Sequence, residues 1–240
     1  MDVRGLRAQS GVEVNNEKFK AQYEAFCFQC DGKNIPRPEI MDWIPVLDED
    51  TNWTHADWDY VLHTNWAARH LAKVKPLRHV DIGSYSYFST LCSAFVPRFE
   101  FYDVRPLGFD IPGLKCDSAN LTDLHFENDS IKSLSCLHVL EHIGLGRYGD
   151  KLDAEGHIKA AKELARVLAP NGQLLIVLPM NEKPRINFNA HRIMNFKQAT
   201  ELFAGLHLCE FTVLHQGKII EQPEHLERLE DFTGLFLWTK

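Results

Sequence analysis

No segment of this chain approaches the roughly 20 consecutive apolar residues of a membrane-spanning helix, so no membrane span is expected. Basic residues are the minority charge: Lys and Arg total 26 against 33 Asp and Glu, a net charge of −7. Such a balance offers no broad basic surface to a phosphate backbone, and no nucleic-acid partner is expected. Cysteines are few and scattered, at positions 27, 30, 92, 116, 136 and 209. Only Cys27 and Cys30 have the spacing of a redox or zinc pair. A zinc site needs about four ligands. No second C-x-x-C or Cys/His pair follows nearby, so no metal is expected. Cysteines in core elements behave as small apolar side chains and fit a reducing, cytoplasmic compartment. The N-terminus, Met1-Asp2-Val3-Arg4-Gly5, lacks the apolar core of a signal peptide. Internal repeats and low-complexity stretches are absent. The most informative absence is the G-x-G-x-x-G fingerprint of dinucleotide binders.

What stands in its place is His79-Val80-Asp81-Ile82-Gly83-Ser84, followed by Phe99-Glu100-Phe101-Tyr102-Asp103. This reads as an apolar strand, an acid, a glycine turn and a helix, then a second strand ending in a carboxylate 22 positions after the first acid. That is the layout of a nucleotide-binding βαβ unit, in which the glycine permits a sharp turn beside the ligand and the second acid accepts from a ribose diol. After Gly83 come Ser84, Tyr85, Ser86, Tyr87 and Phe88, and tyrosines there would crowd a pyrophosphate. An acid before a single glycine, with no phosphate loop, fits an adenosine-type cofactor without phosphate. S-adenosyl-L-methionine is the common one. A structural strand–turn–helix in some other α/β protein is the competing reading.

The chain is 240 residues long and 45% hydrophobic, which suits one α/β domain with an N-terminal addition. Residues 1–75 are expected to form an extension, irregular and polar to about residue 55, then helical from Trp58 to Lys73, a helix read as covering the cofactor, with core packing alone as the alternative. Residues 76–240 form the domain. Strands are expected at Arg78–Ile82, Phe99–Val104, Leu114–Asp117, Ile131–Val139 and Leu174–Leu178, with a helix at Tyr87–Val96. Leu134, Cys136, Leu137 and Val139 are nearly continuous, as a strand buried on both faces requires. Asp153 is a candidate N-cap for a helix carrying Ile158, Ala161, Leu164, Ala165 and Leu168 on one stripe. Pro170-Asn171-Gly172 ends that helix. Asn195 and Gln198 resemble a capping box for a helix reaching Leu206. Leu208–Leu214 and Gly234–Trp238 look like a terminal strand pair. The alternation implies a mostly parallel central sheet with flanking helices, a Rossmann-like architecture.

Four ordered elements between Val80 and Leu178 carry a family resemblance. Asp81-Ile82-Gly83 resembles the start of the first motif, D/E-x-G-x-G-x-G, of class I S-adenosylmethionine-dependent methyltransferases. Asp117 stands where these enzymes place an acid near the adenine amino group. Leu137-His138-Val139-Leu140-Glu141-His142-Ile143 is similar to their segment after strand 4. Ala165–Ile176 is similar to the R-x-L-k-P-G-G element leading into strand 5. The chain also resembles a little-characterised branch associated with bacterial surface-polysaccharide loci, through Gly146-Arg147-Tyr148-Gly149-Asp150 and Phe188-Asn189-Ala190-His191-Arg192. The resemblance implies a class I methyltransferase fold. It places Asp81, Gly83, Tyr85, Asp103, Asp117, His138 and Glu141 around the cofactor. Asp81 would lie near the methionyl amino group, directly or through water, and Tyr85 or Tyr60 would face the sulfonium, since aromatic faces attract cations.

Methyl transfer needs the acceptor held in line with the methyl group, and a hydroxyl acceptor also benefits from a general base. His138, His191 and Asp150 are the catalytic candidates; His142 and Glu141 lie beside them and are read as cofactor-lining. For His138 the alternative is a polar strand-end residue bonded to backbone. Arg147, Tyr148, Asn189 and Arg192 are candidate acceptor ligands, Arg147 as a bidentate grip on phosphate or carboxylate. For Asn189, His191 and Arg192 the alternative is a capping network. This polarity favours a small-molecule acceptor, O-methylation of a sugar or sugar-phosphate of a surface glycan. Methylation of nitrogen or carbon in another metabolite, or a non-catalytic scaffold, are the alternatives, and a homo-oligomer is compatible with the sequence. The tetrapeptide D/N-P-P-Y of nucleic-acid methyltransferases is absent after strand 4, where His138-Val139-Leu140-Glu141 stands.

Overall fold

A computed structural model describes residues 17–47 and 49–240. The sequence features placed on Met1–Gly5 lie outside the described residues. Residue contacts divide the chain into two compact units, with the break between Ala56 and Asp57.

In the first unit, helix α1 (Glu17–Cys30) and a 3-10 turn (Ile40–Asp42) replace part of the irregular segment expected there. Cys27 and Cys30 are both buried as free thiols. The apolar positions of α1 do not concentrate on one face, which is why the helical period is weak in the sequence.

In the second unit, α2 (Trp58–Val74) is capped by Asp57, whose side chain accepts from the Tyr60 amide. β1 (Arg78–Ile82), α3 (Ser86–Cys92), β2 (Arg98–Asp103), β3 (Leu114–Ser118) and β4 (Ile131–Leu137) follow. Next come α4 (Gly156–Val167), β5 (Leu168–Met180), β6 (Arg185–Asn187), β7 (His191–Ile193) and α5 (Phe196–Leu202). β8 (His207–His215), β9 (Lys218–Glu221) and β10 (Phe232–Thr239) complete the chain. The division falls upstream of the boundary expected at residue 75, because Ala67 and Leu71 of α2 pack in one cluster with Phe88, Leu175 and Leu235 of the second unit.

The eight-stranded sheet has the order β3-β2-β1-β4-β5-β10-β8-β9. The pairs β1–β2, β2–β3, β1–β4 and β4–β5 are parallel, whereas β10 runs antiparallel to both its neighbours. This is the Rossmann-like class I methyltransferase fold with a mostly parallel sheet. Both faces are covered. Along β5, Leu174, Ile176 and Leu178 enter one core cluster while Leu175 and Val177 enter the other. Continuous apolar runs therefore mark the central strands.

Several local expectations are corrected. Asp153 is not the α4 N-cap: Glu155 is, and Asp153 accepts from the Glu155 amide and pairs with Lys159. The helix after Gly83 ends at Cys92, and β4 ends at Leu137 because His138 turns into a left-handed conformation at φ +56. The hairpins β6–β7 and β8–β9 were not foreseen. Gln216 and Gly217, both at positive φ, supply the primed-turn geometry that joins β8 to β9. Among the described residues, no helix is long and apolar enough to cross a membrane.

Candidate functional site

The strand order reverses direction at β1 and β4, the switch point where open parallel sheets bind ligands beyond their carboxyl ends. Asp81 lies near the end of β1, Asp103 ends β2, Asp117 is near the end of β3, and His138 follows β4. All four therefore share one sheet edge. Gly83 sits at their centre with φ +70, and its amide donates to the Tyr102 carbonyl at 2.8 Å. A Cβ there would lie 3.0 Å from Val139 Cγ1 and 3.4 Å from Asp103 Oδ2. Only glycine gives both the left-handed turn and this close approach.

Asp103 is half-buried. Its Oδ1 accepts from the Arg105 amide at 2.7 Å. Burial pushes its carboxyl up, opposed by that hydrogen bond and by the Arg105 charge. Asp117 is exposed and its Oδ1 accepts from the Ser118 amide at 2.8 Å.

Asp81 behaves differently. It has no exposed surface. Its Oδ1 accepts from the hydroxyls of Ser84 and Ser135, and its Oδ2 from Ser89 at 2.8 Å. Burial raises its pKa to about 6 against those three bonds, with Asp103 adding to the rise. A direct contact with a methionyl amino group is therefore unavailable, and Asp81 acts on the turn from beneath.

Above the turn stands an aromatic wall. Tyr60 stacks on His138 with ring centroids 5.7 Å apart and meets Tyr85 edge-on at 5.3 Å. His63 meets His138 at 4.8 Å. Burial, reinforced by His138, holds His63 neutral with a pKa of about 3. Burial and then the Glu141 charge raise the Tyr60 phenol. His138 Nδ1 lies 2.8 Å from Oε1 of Glu141, which is itself buried. With Glu141 as acceptor, Nδ1 is the donor of this pair. His138 Nε2, Glu141 Oε2 and His63 Nδ1 are buried without a hydrogen-bond partner.

The loop after the 3-10 turn Leu140–His142 is fixed by Gly144, where a Cβ would sit 2.0 Å from the Asp153 carbonyl. The β6–β7 turn meets this loop. His142 Nδ1 donates to the Ala190 carbonyl at 2.6 Å, and Arg147 Nη1 donates to the same oxygen at 3.0 Å. The His142 ring is 5.5 Å from Tyr148 and 6.4 Å from His191. The guanidinium groups of Arg105 and Arg147 lie 4.3 and 5.0 Å from the Tyr148 ring.

Two expected members of this group are spent elsewhere. Asp150 is not placed as a base: its oxygens accept from the Gly144 and Tyr148 amides at 2.6 and 3.3 Å and close the loop. Arg192 is not placed as an acceptor ligand. It is buried, and it donates to the carbonyls of Ile143 at 2.6 Å, Glu141 at 3.3 Å and Ala154 at 3.5 Å. His191 is partly exposed and bonds Asn187 at 3.1 Å, while Asn189 lies exposed in the β6–β7 turn. A polar cavity of about 420 Å³ lies at the same edge, where β5 and β8 end and β10 begins. Asn181, Arg185, His215 and Asp231 are among its walls, and none of them was anticipated. The serines around Asp81 were also missed. Their signal was legible: Ser133 and Ser135 alternate with apolar residues inside a buried strand. Among the described residues, no group of three His, Cys, Asp or Glu side chains could hold a metal.

A family profile described as "Caenorhabditis protein of unknown function, DUF268" matches residues 120–230, less than half the chain. No curated protein matches the sequence significantly. Solved structures share the fold at low identity. A TehB-like SAM-dependent methyltransferase from Corynebacterium glutamicum is 15% identical, with a TM-score of 0.51, covering 72% of this chain and 86% of that one. A Burkholderia thailandensis 1,6-didemethyltoxoflavin-N1-methyltransferase, solved with its substrate and S-adenosylhomocysteine, is 12% identical with a TM-score of 0.52, covering 76% and 81%. The [4+2]-cyclase SpnF is 10% identical with a TM-score of 0.55, covering 75% and 81%. Identities this low speak to fold, and these proteins differ in activity.

Proposed function

We propose that this protein is an S-adenosylmethionine-dependent methyltransferase acting on a small polar acceptor. The observation that carries this reading is the close approach of Gly83, Asp103 and Val139 at the switch point of the sheet. A side chain at position 83 would fill the space beside the Asp103 carboxylate, and the chain leaves that space open. The residues present fit an adenosine-type cofactor. Asp103 accepts from the ribose hydroxyls, and Asp117 stands one strand further along the same edge for the adenine side. Tyr60 and Tyr85 offer ring faces to a cation. When bound, the cofactor supplies an electrophilic methyl group.

The chain's own contribution is a base and a way of orienting the acceptor. His138, whose Nδ1 is held by Glu141, is the base this reading assigns to an acceptor hydroxyl. Arg147, Tyr148 and His191 gather around His142. These groups and the polar cavity near Asn181 and Asp231 favour an acceptor rich in hydroxyls or carrying phosphate. A sugar or sugar-phosphate of surface glycan biosynthesis, O-methylated in the cytoplasm, is the specific reading. Six free cysteines agree with that compartment.

One observation favours a second reading, a methyltransferase-fold scaffold without catalysis: Tyr60, Tyr85 and His138 pack against one another where the cofactor would end. Labelled methyl transfer from S-adenosylmethionine to a panel of nucleotide sugars and sugar phosphates tests the two readings. Transfer that is lost in His138→Ala supports the enzyme. Cofactor binding without transfer to any sugar, amine or carbon acceptor supports the scaffold.

A further inference from the structure

The hydrogen bonds beneath the Gly83 turn have a direction. Ser135 has one hydroxyl proton and gives it to Asp81 Oδ1. His79 Nε2, 2.9 Å from Ser135 Oγ, must therefore be the donor to that hydroxyl. Burial holds His79 neutral, with a pKa of about 3. Its Nδ1 is then bare and accepts from Ser133 Oγ at 2.7 Å. From the other side, the Leu137 amide donates to Ser84 Oγ at 3.0 Å, and Ser84 passes its proton to Asp81. Ser89 adds a third hydroxyl. Every donor points at one carboxylate, and Asp81, His79, Ser89 and Ser135 have no exposed surface.

This is the pattern of a carboxylate held as an anion, with no cation to match it. The titratable groups facing Asp81 are Asp103 from β2, Cys92 from α3, Cys136 from β4 and His79 on its own strand. The thiols stay neutral, since burial pushes Cys92 up to about 12 and Cys136 well above its usual value. Asp103 carries the same sign as Asp81. Among the described residues, no lysine or arginine hydrogen-bonds to Asp81. Burying an unpaired charge is costly, and hydroxyl donors offset only part of the cost. A cation arriving at the turn above would supply the rest.

We propose that His79 and Ser135 are positioning residues: with Ser133 they form a one-way hydrogen-bond chain that holds Asp81 beneath the Gly83 turn as the anionic complement of a cationic cofactor, so that cofactor binding and Asp81 ionisation are linked. The proposal rests on the cofactor reading above and adds to it a role for residues that touch no ligand. Ser84 transmits the effect, because it is bonded both to Asp81 and to the Leu137 amide at the end of β4. If Asp81 is protonated, one oxygen becomes a donor, and one of the three serines must turn away.

Two measurements test the proposal. The first follows the Asp81 carboxyl carbon by NMR in the ligand-free protein, as wild type, Ser135→Ala and Ser135→Thr. Removing a donor should move the Asp81 titration to higher pH, and threonine should restore it. An unchanged titration in Ser135→Ala overturns the chain. The second titrates S-adenosylmethionine, which carries the sulfonium, into wild type and Asp81→Asn at pH 7.5 and pH 5.5. Wild type should lose affinity threefold or more at the lower pH, and Asp81→Asn should show a smaller loss. Equal ratios in the two proteins overturn the linkage alone. No binding of S-adenosylmethionine at either pH contradicts the cofactor reading instead, while the NMR result still decides the hydrogen-bond chain.

Discussion

Asp81 and Glu100 are both buried carboxyl groups, placed on adjacent strands one register position apart. Their surroundings differ in kind. Glu100 is held by Arg78 through two bonds of 2.7 and 3.0 Å, by Arg98 at 2.6 Å and by the Tyr102 hydroxyl at 2.9 Å. Burial opposes its ionisation, but the bonds from Arg78 and Tyr102 and the two guanidinium charges outweigh that and hold its pKa down to about 2. Asp81 has only hydroxyls, so burial wins and its pKa rises to about 6. Glu100 is compensated by the protein itself and reads as structural. Asp81 lies beneath the turn at the switch point and is left for something else to compensate. The contrast supports the cofactor site proposed above.

The largest effect should come from breaking the compensated acid. Glu100→Gln leaves Arg78 and Arg98 without their shared partner. It should cost about 3 kcal/mol of stability, somewhat less if the partly exposed arginines reach water, read as a lower urea midpoint. A loss under about 0.5 kcal/mol would show that the cluster is dispensable.

Next in size is Arg192→Ala, which should cost about 2 kcal/mol because three backbone carbonyls lose a charged donor. If urea denaturation shows no loss while acceptor affinity falls, Arg192 binds the acceptor after all.

A smaller effect is expected at Asp81, with the opposite sense to Glu100. A carboxyl raised from 3.8 to about 6 is protonated more readily in the folded state, so ligand-free stability is lowered above pH 6 and recovers as pH falls. Between pH 7.5 and pH 5, wild type should gain about 1 kcal/mol relative to Asp81→Asn. Glu100 contributes nothing to that window, since its stabilisation is lost only as pH falls from 4.5 through about 2. A relative loss over the same interval would reverse the assignment.

The smallest change in stability belongs to Arg147→Ala. The residue is exposed and makes one direct bond to a carbonyl, so the urea midpoint should move by less than about 0.5 kcal/mol. Methyl transfer to the acceptor should fall nonetheless. Full turnover in this variant would remove Arg147 from the site.

Much of the strand-end half of the candidate site was legible in the sequence, because strand ends are fixed by topology. Once Arg78–Ile82, Phe99–Val104 and Ile131–Val139 are read as parallel strands, Asp81, Asp103 and His138 must share an edge. The second half was less legible. Asp150 and Arg192 have the right chemistry for catalysis and binding, yet satisfying buried backbone groups near Gly144 and Ile143 consumes them. Whether a polar side chain is free or already spent depends on which loop carbonyls are buried, and no periodicity reports that. The α1 helix escaped notice for a related reason: without an apolar stripe it has no 3.6-residue signal. The His79–Ser133–Ser135 alternation was visible, but its meaning came only from the register of β1 against β4, which pairs Val80 with Leu134.

The most direct test of the account is a calorimetric titration of S-adenosylhomocysteine into wild type and Asp103→Ala at pH 7.5. The account predicts saturable binding to the wild type. It predicts at least a tenfold loss in the folded variant, since charged hydrogen bonds to the ribose are worth about 1.5–3 kcal/mol each. Absence of binding to the wild type, or equal affinity in Asp103→Ala, would contradict it.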